Sequence, residues 1–130
     1  LMGSPLLSKI NGSVYGLDML NTLSQYSITF NQHINLAGEY AGNMRLFEAT
    51  GLGCALITDM KLNLSNFFEP DKEVVAYNSK EEAVEKINYL TDNPMKAKQI
   101  GKAGQLRCLK SHSTQNQINR LSEIIKSTLT

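Results

Sequence analysis

The sequence predicts an α/β fold, a parallel sheet flanked by helices, on three observations. Three short apolar segments bounded by breakers read as strands: SITFNQH at 27–33, CALITD at 54–59 and EVVAY at 73–77. Helical patterns fall between and after them, and such alternation marks strands joined by helical crossovers. Hydrophobic residues at 42% and charged residues at 19% are globular proportions, which excludes a disordered or fibrous chain. A chain of 130 residues suits one domain that buries about two-thirds of its unfolded surface.

Taken in order, SVYG at 13–16 reads as the tail of a fourth strand, and Leu17, Met19, Leu20 and Leu23 give a helix over 17–25. The strand at 27–33 follows, then the loop INLAGEYAG and a helix over 43–51. The Gly51-Leu52-Gly53 turn ends that helix and leads into the strand at 54–59, so it is not a phosphate-binding loop, which would begin a helix. After the third strand, Ser79-Lys80-Glu81-Glu82 forms a capping box, with Ala83, Val84, Ile87 and Leu90 as the buried stripe behind it. Asn93-Pro94 opens the next helix with proline at its first position; Ile100, Ala103 and Leu106 point inward, and Gly101 and Gly104 loosen it. Ser113 caps a last helix whose apolar side is Ile118, Leu121, Ile125 and Leu129. Three or four strands are few for such a sheet, and the sequence starts near a strand's end, so the chain is expected to be the C-terminal portion of a larger α/β domain.

Charge and composition narrow the partners. Thirteen Lys+Arg against twelve Asp+Glu, with no dense basic cluster, exclude nucleic acid. No apolar run approaches the ~20 residues of a spanning helix, while peripheral membrane contact through the Lys-rich stretches stays open. Cys54 and Cys108 stand singly, which fits a reducing, cytoplasmic setting, and the opening LMGSPLLSKINGS lacks the pattern of a signal peptide. Neither His33 nor His112 has partners at metal-ligand spacing, so no metal is expected.

In open parallel sheets, ligands sit outside the carboxyl ends of the strands. There the first strand ends in Asn31-Gln32-His33, Gly42-Asn43 opens the helix that carries Arg45 and Glu48, and the second strand ends at Asp59 with Met60 and Lys61 behind it. Amides at Gly42, Asn43, Met44 and Arg45, with the positive end of the helix dipole, make an anion site suited to phosphate. Gly42 allows close approach, and Asn43 either caps the helix or donates to an oxygen. Glu48 lies about one and a half turns further in, placed to accept from paired hydroxyls such as those of ribose. Phosphate and sugar hydroxyls side by side describe a nucleotide. Plainer readings stand beside these. Arg45 and Glu48 at i, i+3 make an ordinary surface ion pair worth ~0.2–0.5 kcal/mol. His33 is a hydrogen-bonded packing residue or a binding residue, and Glu39 a sugar contact or a solvated loop carboxylate. Asp59 is a helix cap, a donor contact or a loop residue, and His112 a capping or solvent-facing one.

The pattern N-x-R-x-F-E-A-T-G-x-G-x-A-L-I-T-D, with FNQH upstream and EVVAYNSKEEAVEKINYLTDNP downstream, resembles the C-terminal donor-binding half of GT-B glycosyltransferases, in the group similar to spore-maturation-type proteins. The match runs from about Gly16 to the final helix. The resemblance implies a Rossmann-like half of a GT-B fold, bacterial in type, acting in polysaccharide or glycoconjugate synthesis. It implies a nucleoside-diphosphate sugar as donor substrate, no cofactor and no metal, and a transfer that retains configuration. Glu48 then holds the ribose, the amides at Gly42, Asn43 and Met44 take the diphosphate, and Arg45 neutralises phosphate charge. In the wider class another glutamate stands eight residues before the helix one; here that place is Tyr40, with Glu39 beside it. The segment that usually reads G-x-P-V is Gly53-Cys54-Ala55-Leu56, without the proline. The resemblance further implies that a glycan or lipid-linked acceptor is bound by an N-terminal domain outside this chain, that catalytic residues are not identified within it, and that the piece alone is inactive. The alternative is a non-catalytic, receiver-like signalling or interaction domain, which requires an acidic cluster at the strand ends.

Overall fold

The structure, a computed structural model, describes residues 7–129. Strands β1 (Ile28–Asn31), β2 (Ala55–Asp59) and β3 (Val75–Tyr77) form one parallel sheet in that order. Asn31 pairs with Thr58, and Asp59 pairs with Tyr77, so all three strands end level. Helices α1 (Gly16–Ser24), α2 (Arg45–Gly51), α3 (Leu64–Phe67), α4 (Lys80–Asp92), α5 (Pro94–Ser111) and α6 (Thr114–Leu129) surround it, with short 3-10 turns at Leu7–Lys9 and Asn35–Ala37. The α/β class and the Rossmann-like arrangement expected from the sequence are what is found.

Both faces of the sheet are buried, which is why β2 is apolar throughout its first three residues. Leu56 packs into one core with Leu46 and Ala49 of α2, Leu64, Phe68 and Cys108. Its neighbours Ala55 and Ile57 point the other way, into a second core with Ala83 and Leu90 of α4 and Ala97 and Ile100 of α5. Helix α4 starts on its capping residue: Ser79 Oγ accepts from the Glu82 amide at 3.1 Å. The return bond lands one residue early, with Glu82 Oε2 accepting from the Asn78 amide at 2.7 Å. Lys86 beside it, with the Asn78 bonds, holds the Glu82 carboxyl down at about 2. Lys86 also donates to the Ala76 carbonyl, which ties α4 to β3.

Helix α5 contributes to both cores, Ala97 and Ile100 to one and Cys108 to the other, so it crosses the sheet at its amino edge. The crossing works because of two glycines. A Cβ on Gly101 would stand 2.1 Å from the Gly53 carbonyl oxygen, and one on Gly104 would stand 2.4 Å from that of Glu73. These residues do not loosen the helix, as the sequence suggested; it runs unbroken to Ser111, and they let its backbone touch the residues that lead into β2 and β3. Gln105 then donates to the Gly51 carbonyl at 3.1 Å, and Arg107 to that of Phe67, also at 3.1 Å.

Other expectations need correction. Residues 13–16 form no strand; Gly16, with a positive φ of 57°, begins α1 instead, and Leu17 is exposed. β3 is shorter than 73–77, because Val74 makes only an isolated bridge to Pro70. Val84 and Leu106 lie outside the cores, each more than half exposed. The short α3 was not foreseen, though Leu64 and Phe68 at its ends are fully buried. In α6 the predicted apolar side is present but uncovered among the described residues: Ile118, Leu121, Ile125 and Leu129 are all exposed.

The crossing yields a stability prediction. Gly101→Ala gains about 1 kcal/mol of helix propensity, but it forces a methyl group into a carbonyl, so the protein loses about 1–3 kcal/mol net. The expected result in urea is a lower midpoint at unchanged slope. Gly42→Ala, at a position with nothing within 4 Å, stays within about 0.5 kcal/mol of the parent chain.

Candidate functional site

Because the strands end level, their last polar side chains meet. Residues 30–34 alternate exposed and buried, which turns Asn31 and His33 inward while Phe30, Gln32 and Ile34 face out. Asn31 Nδ2 donates to Thr58 Oγ1 at 3.0 Å, and its Oδ1 accepts from Asn43 Nδ2 at 2.8 Å. Its carbonyl accepts from the Tyr77 hydroxyl at 3.1 Å, and the Tyr77 ring stacks on Phe30. Asp59 Oδ1 accepts twice from His33, from the backbone amide at 2.9 Å and from the ring Nδ1 at 2.7 Å, and lies 3.4 Å from the Thr58 hydroxyl. Its Oδ2 is 3.3 Å from Lys61 Nζ, which also donates to the Gly38 carbonyl at 2.7 Å. One chain of hydrogen bonds therefore links the three strand ends to the entrance of α2 and to the loop after β1.

That loop is held along its length. Leu62 donates its amide to the Glu39 carbonyl at 3.0 Å, and the Asn63 side chain pairs with both backbone groups of Ala41. An open crevice of about 420 Å³ lies between the two segments, lined by Gly38, Glu39, Met60, Lys61, Leu62 and Ser65.

The sequence-predicted residues fall into two groups. His33 and Asn43 join the network, and Asn43 spends its side chain on Asn31 instead of capping α2, whose N-cap is Met44. Met44 is exposed, Gly42 is bare to approach, and Glu39 faces solvent beside the crevice. The first amides bonded in the α2 ladder are those of Leu46, Phe47 and Glu48, which leaves the amides of Asn43, Met44 and Arg45 ahead of it. Arg45 and Glu48 form the second group. They pair loosely with each other at 3.7 Å, half-buried, and Arg45 also reaches Met19 Sδ of α1 at 3.7 Å; neither bonds to the network. Asp59 caps nothing. The sequence places it with Asn31 and Lys61 at the carboxyl edge, but does not show the network that joins them to Thr58 and His33; the inward pair Asn31 and His33, facing Thr58-Asp59 in register, is the signal that finds it. His112 caps the C-terminus of α5 and sits among Phe47, Phe67 and Phe68, donating Nε2–H to the Phe67 carbonyl at 2.8 Å. No group of three His, Cys, Asp or Glu side chains that could hold a metal ion occurs among the described residues, so they contain no receiver-type acidic cluster. No helix among them is long and apolar enough to cross a membrane.

Residues 3–123 match the family described as glycosyl transferase-like. No curated protein matches the chain.

Electrostatics fix the protonation of the network. Burial alone pushes the Asp59 carboxyl up, but the hydrogen bonds from the His33 ring and amide, the His33 charge and Lys61 outweigh it and hold the group below its ordinary 3.8. Tyr77 moves up, first through burial and then through the negative charge of Asp59. An ionised carboxylate only accepts, so the His33 proton sits on Nδ1. Stability from this depressed carboxyl is complete above pH 3.8 and is lost as pH falls through the lower folded value. Asp59→Asn is therefore expected to cost roughly 1–3 kcal/mol near neutral pH. Urea titrations of the two proteins at a series of pH values should show that difference shrinking below pH 3.8.

Proposed function

The chain belongs to the glycosyl transferase-like family, and on that premise we propose that the carboxyl edge of its sheet recognises the nucleoside-diphosphate portion of a sugar donor. The observation that carries this reading is the convergence of Asn31, His33, Asn43, Thr58 and Asp59 at the strand ends, beside a crevice and a bare backbone at Gly42. A parallel sheet presents its ligands at this edge.

In the proposed complex the diphosphate lies against the amides of Gly42, Asn43 and Met44, with Arg45 supplying positive charge. Glu48 accepts from the ribose hydroxyls, and Glu39 on the crevice wall faces the sugar. The family's chemistry breaks the bond between the anomeric carbon and the diphosphate, so negative charge grows on the leaving group. Fixed N–H dipoles and cationic side chains aimed at that charge lower the barrier without reorganising as it forms. We assign the transfer to a glycan or lipid-linked acceptor with retention of configuration, in a cytoplasmic or membrane-peripheral setting, with the donor as a substrate and no resident cofactor.

Calorimetric titration with UDP, GDP and ADP tests the reading. At least one is expected to bind. Glu48→Ala should weaken it about tenfold, the equivalent of ~1.4 kcal/mol, with thermal stability unchanged. A folded sample that binds none of the three overturns the proposal.

A further inference from the structure

Helix α5 is the most unevenly charged element of the chain. It holds five of the thirteen basic residues, Lys96, Lys98, Lys102, Arg107 and Lys110, and none of the twelve acidic ones. Arg107 is engaged by Glu73 and the Phe67 carbonyl. The ammonium groups of Lys98 and Lys102 have no ion pair or hydrogen bond among the described residues. At spacings of three and four, Met95, Lys98, Lys102, Leu106 and Leu109 form one row about 21 Å long on the helix surface. Every member of the row is solvent-facing except for the stems between them: Met95 is 78% exposed, Leu106 58% and Leu109 59%, and both lysines are exposed. The row lies opposite the side on which Gly101 and Gly104 touch the residues before β2 and β3, so it points away from the sheet. Beside it runs an open crevice of about 580 Å³, walled by Lys98 and Lys102 on one side and the Leu52-Gly53 turn on the other. Asp92, at the end of α4, is the acidic group near Met95 and lies past the end of the row.

We propose that the outer face of α5 docks on an anionic lipid surface, with Lys98 and Lys102 meeting headgroup phosphates along the crevice and Met95, Leu106 and Leu109 seated at the boundary of the acyl chains. Apolar residues scattered singly over a surface need no explanation, but here they share one line with unpaired cations. Lysine stems lie along apolar surface while their heads reach for charge, and a helix face that combines the two suits the level where headgroups give way to hydrocarbon. A nucleic-acid backbone offers the charge but no place for the three apolar side chains. The stripe on α6 carries two basic residues against Glu123, so no comparable charge excess marks what would cover it. The proposal is independent of the donor-site reading, and of the two settings named there it selects the membrane-peripheral one. Because the row points away from the strands, a lipid surface against it leaves the carboxyl edge uncovered for a soluble ligand.

Flotation with vesicles of equal parts phosphatidylglycerol and phosphatidylcholine tests this, with pure phosphatidylcholine vesicles beside them. The chain is expected to float with the anionic vesicles and not with the neutral ones. Raising the salt from about 0.1 to about 1 M, which shortens the screening length about threefold, should release it. Lys98→Gln with Lys102→Gln should weaken partitioning about 25-fold, roughly fivefold for each charge removed. Leu106→Gln with Leu109→Gln should weaken it as well, and thermal unfolding should be little changed in both variants because the side chains are exposed. A parent chain that does not float, equal binding to neutral vesicles, or a lysine variant that floats as the parent does overturns the proposal. If only Leu121→Gln with Ile125→Gln abolishes flotation, the lipid-facing helix is α6 and the assignment to α5 falls. If a DNA duplex is retained through the same lysines while vesicles stay unbound, the face is a nucleic-acid surface and the proposal falls too. Calorimetry with UDP, GDP and ADP keeps the two readings apart. The lysine variant should bind nucleotide as the parent does, and a parent chain that binds nucleotide but no vesicle leaves the donor site standing and removes this inference.

Discussion

The carboxyl end of this sheet depends on one side chain, the Asp59 carboxylate. It accepts the amide and the ring of His33 through one oxygen and meets Lys61 through the other. A partly buried carboxylate is tolerated only when such donors replace the water it has lost. Here they come from the segment after β1 and the segment after β2, so satisfying the charge also sets how the chain leaves both strands. Lys61 passes the constraint on to Gly38, and Leu62 and Asn63 continue it along the loop to Ala41. The residues that precede α2 thus arrive in a fixed position, with little conformational freedom left for a ligand to remove.

The two ends of the sheet are built on different physics. At the amino edge, contact is made by backbone against backbone, where Gly101 and Gly104 let α5 cross the residues before β2 and β3. At the carboxyl edge it is made by side chains, through Asn31, Thr58, Asp59 and Tyr77. Steric closeness tolerates almost no change of residue, while a hydrogen-bonded network can be altered one donor at a time. The division places backbone contact and side-chain hydrogen bonding at opposite ends of the same three strands.

The sequence was most legible where a local pattern had one physical meaning. CALI is apolar at every position because both of its faces are covered, and Ser79 marks the start of α4 because its hydroxyl accepts from the otherwise unpaired Glu82 amide. It was least legible where meaning came from a distant partner. Gly101 and Gly104 look like helix weaknesses until Gly53 and Glu73 are placed against them. Asp59 looks like a loop residue until His33 stands opposite. Arg45 and Glu48 were conspicuous in the chain, yet they are engaged with each other and with Met19 and lie apart from the network. A charged residue in an apolar run draws the eye, but convergence in space is set by strand register, which periodicity does not reveal.

The crossing of α5 bears on how the molecule assembles. Gln105 meets Gly51 across 54 residues of chain, and Arg107 meets Phe67 across 40. Contacts of that span raise the contact order of the chain, which slows folding relative to a chain of local contacts. The amino ends of the strands have their backstop only once the helix lies against Gly53 and Glu73. The register of the sheet is thus backed by a helix that follows all three strands in the chain and lies at the end opposite the side-chain network.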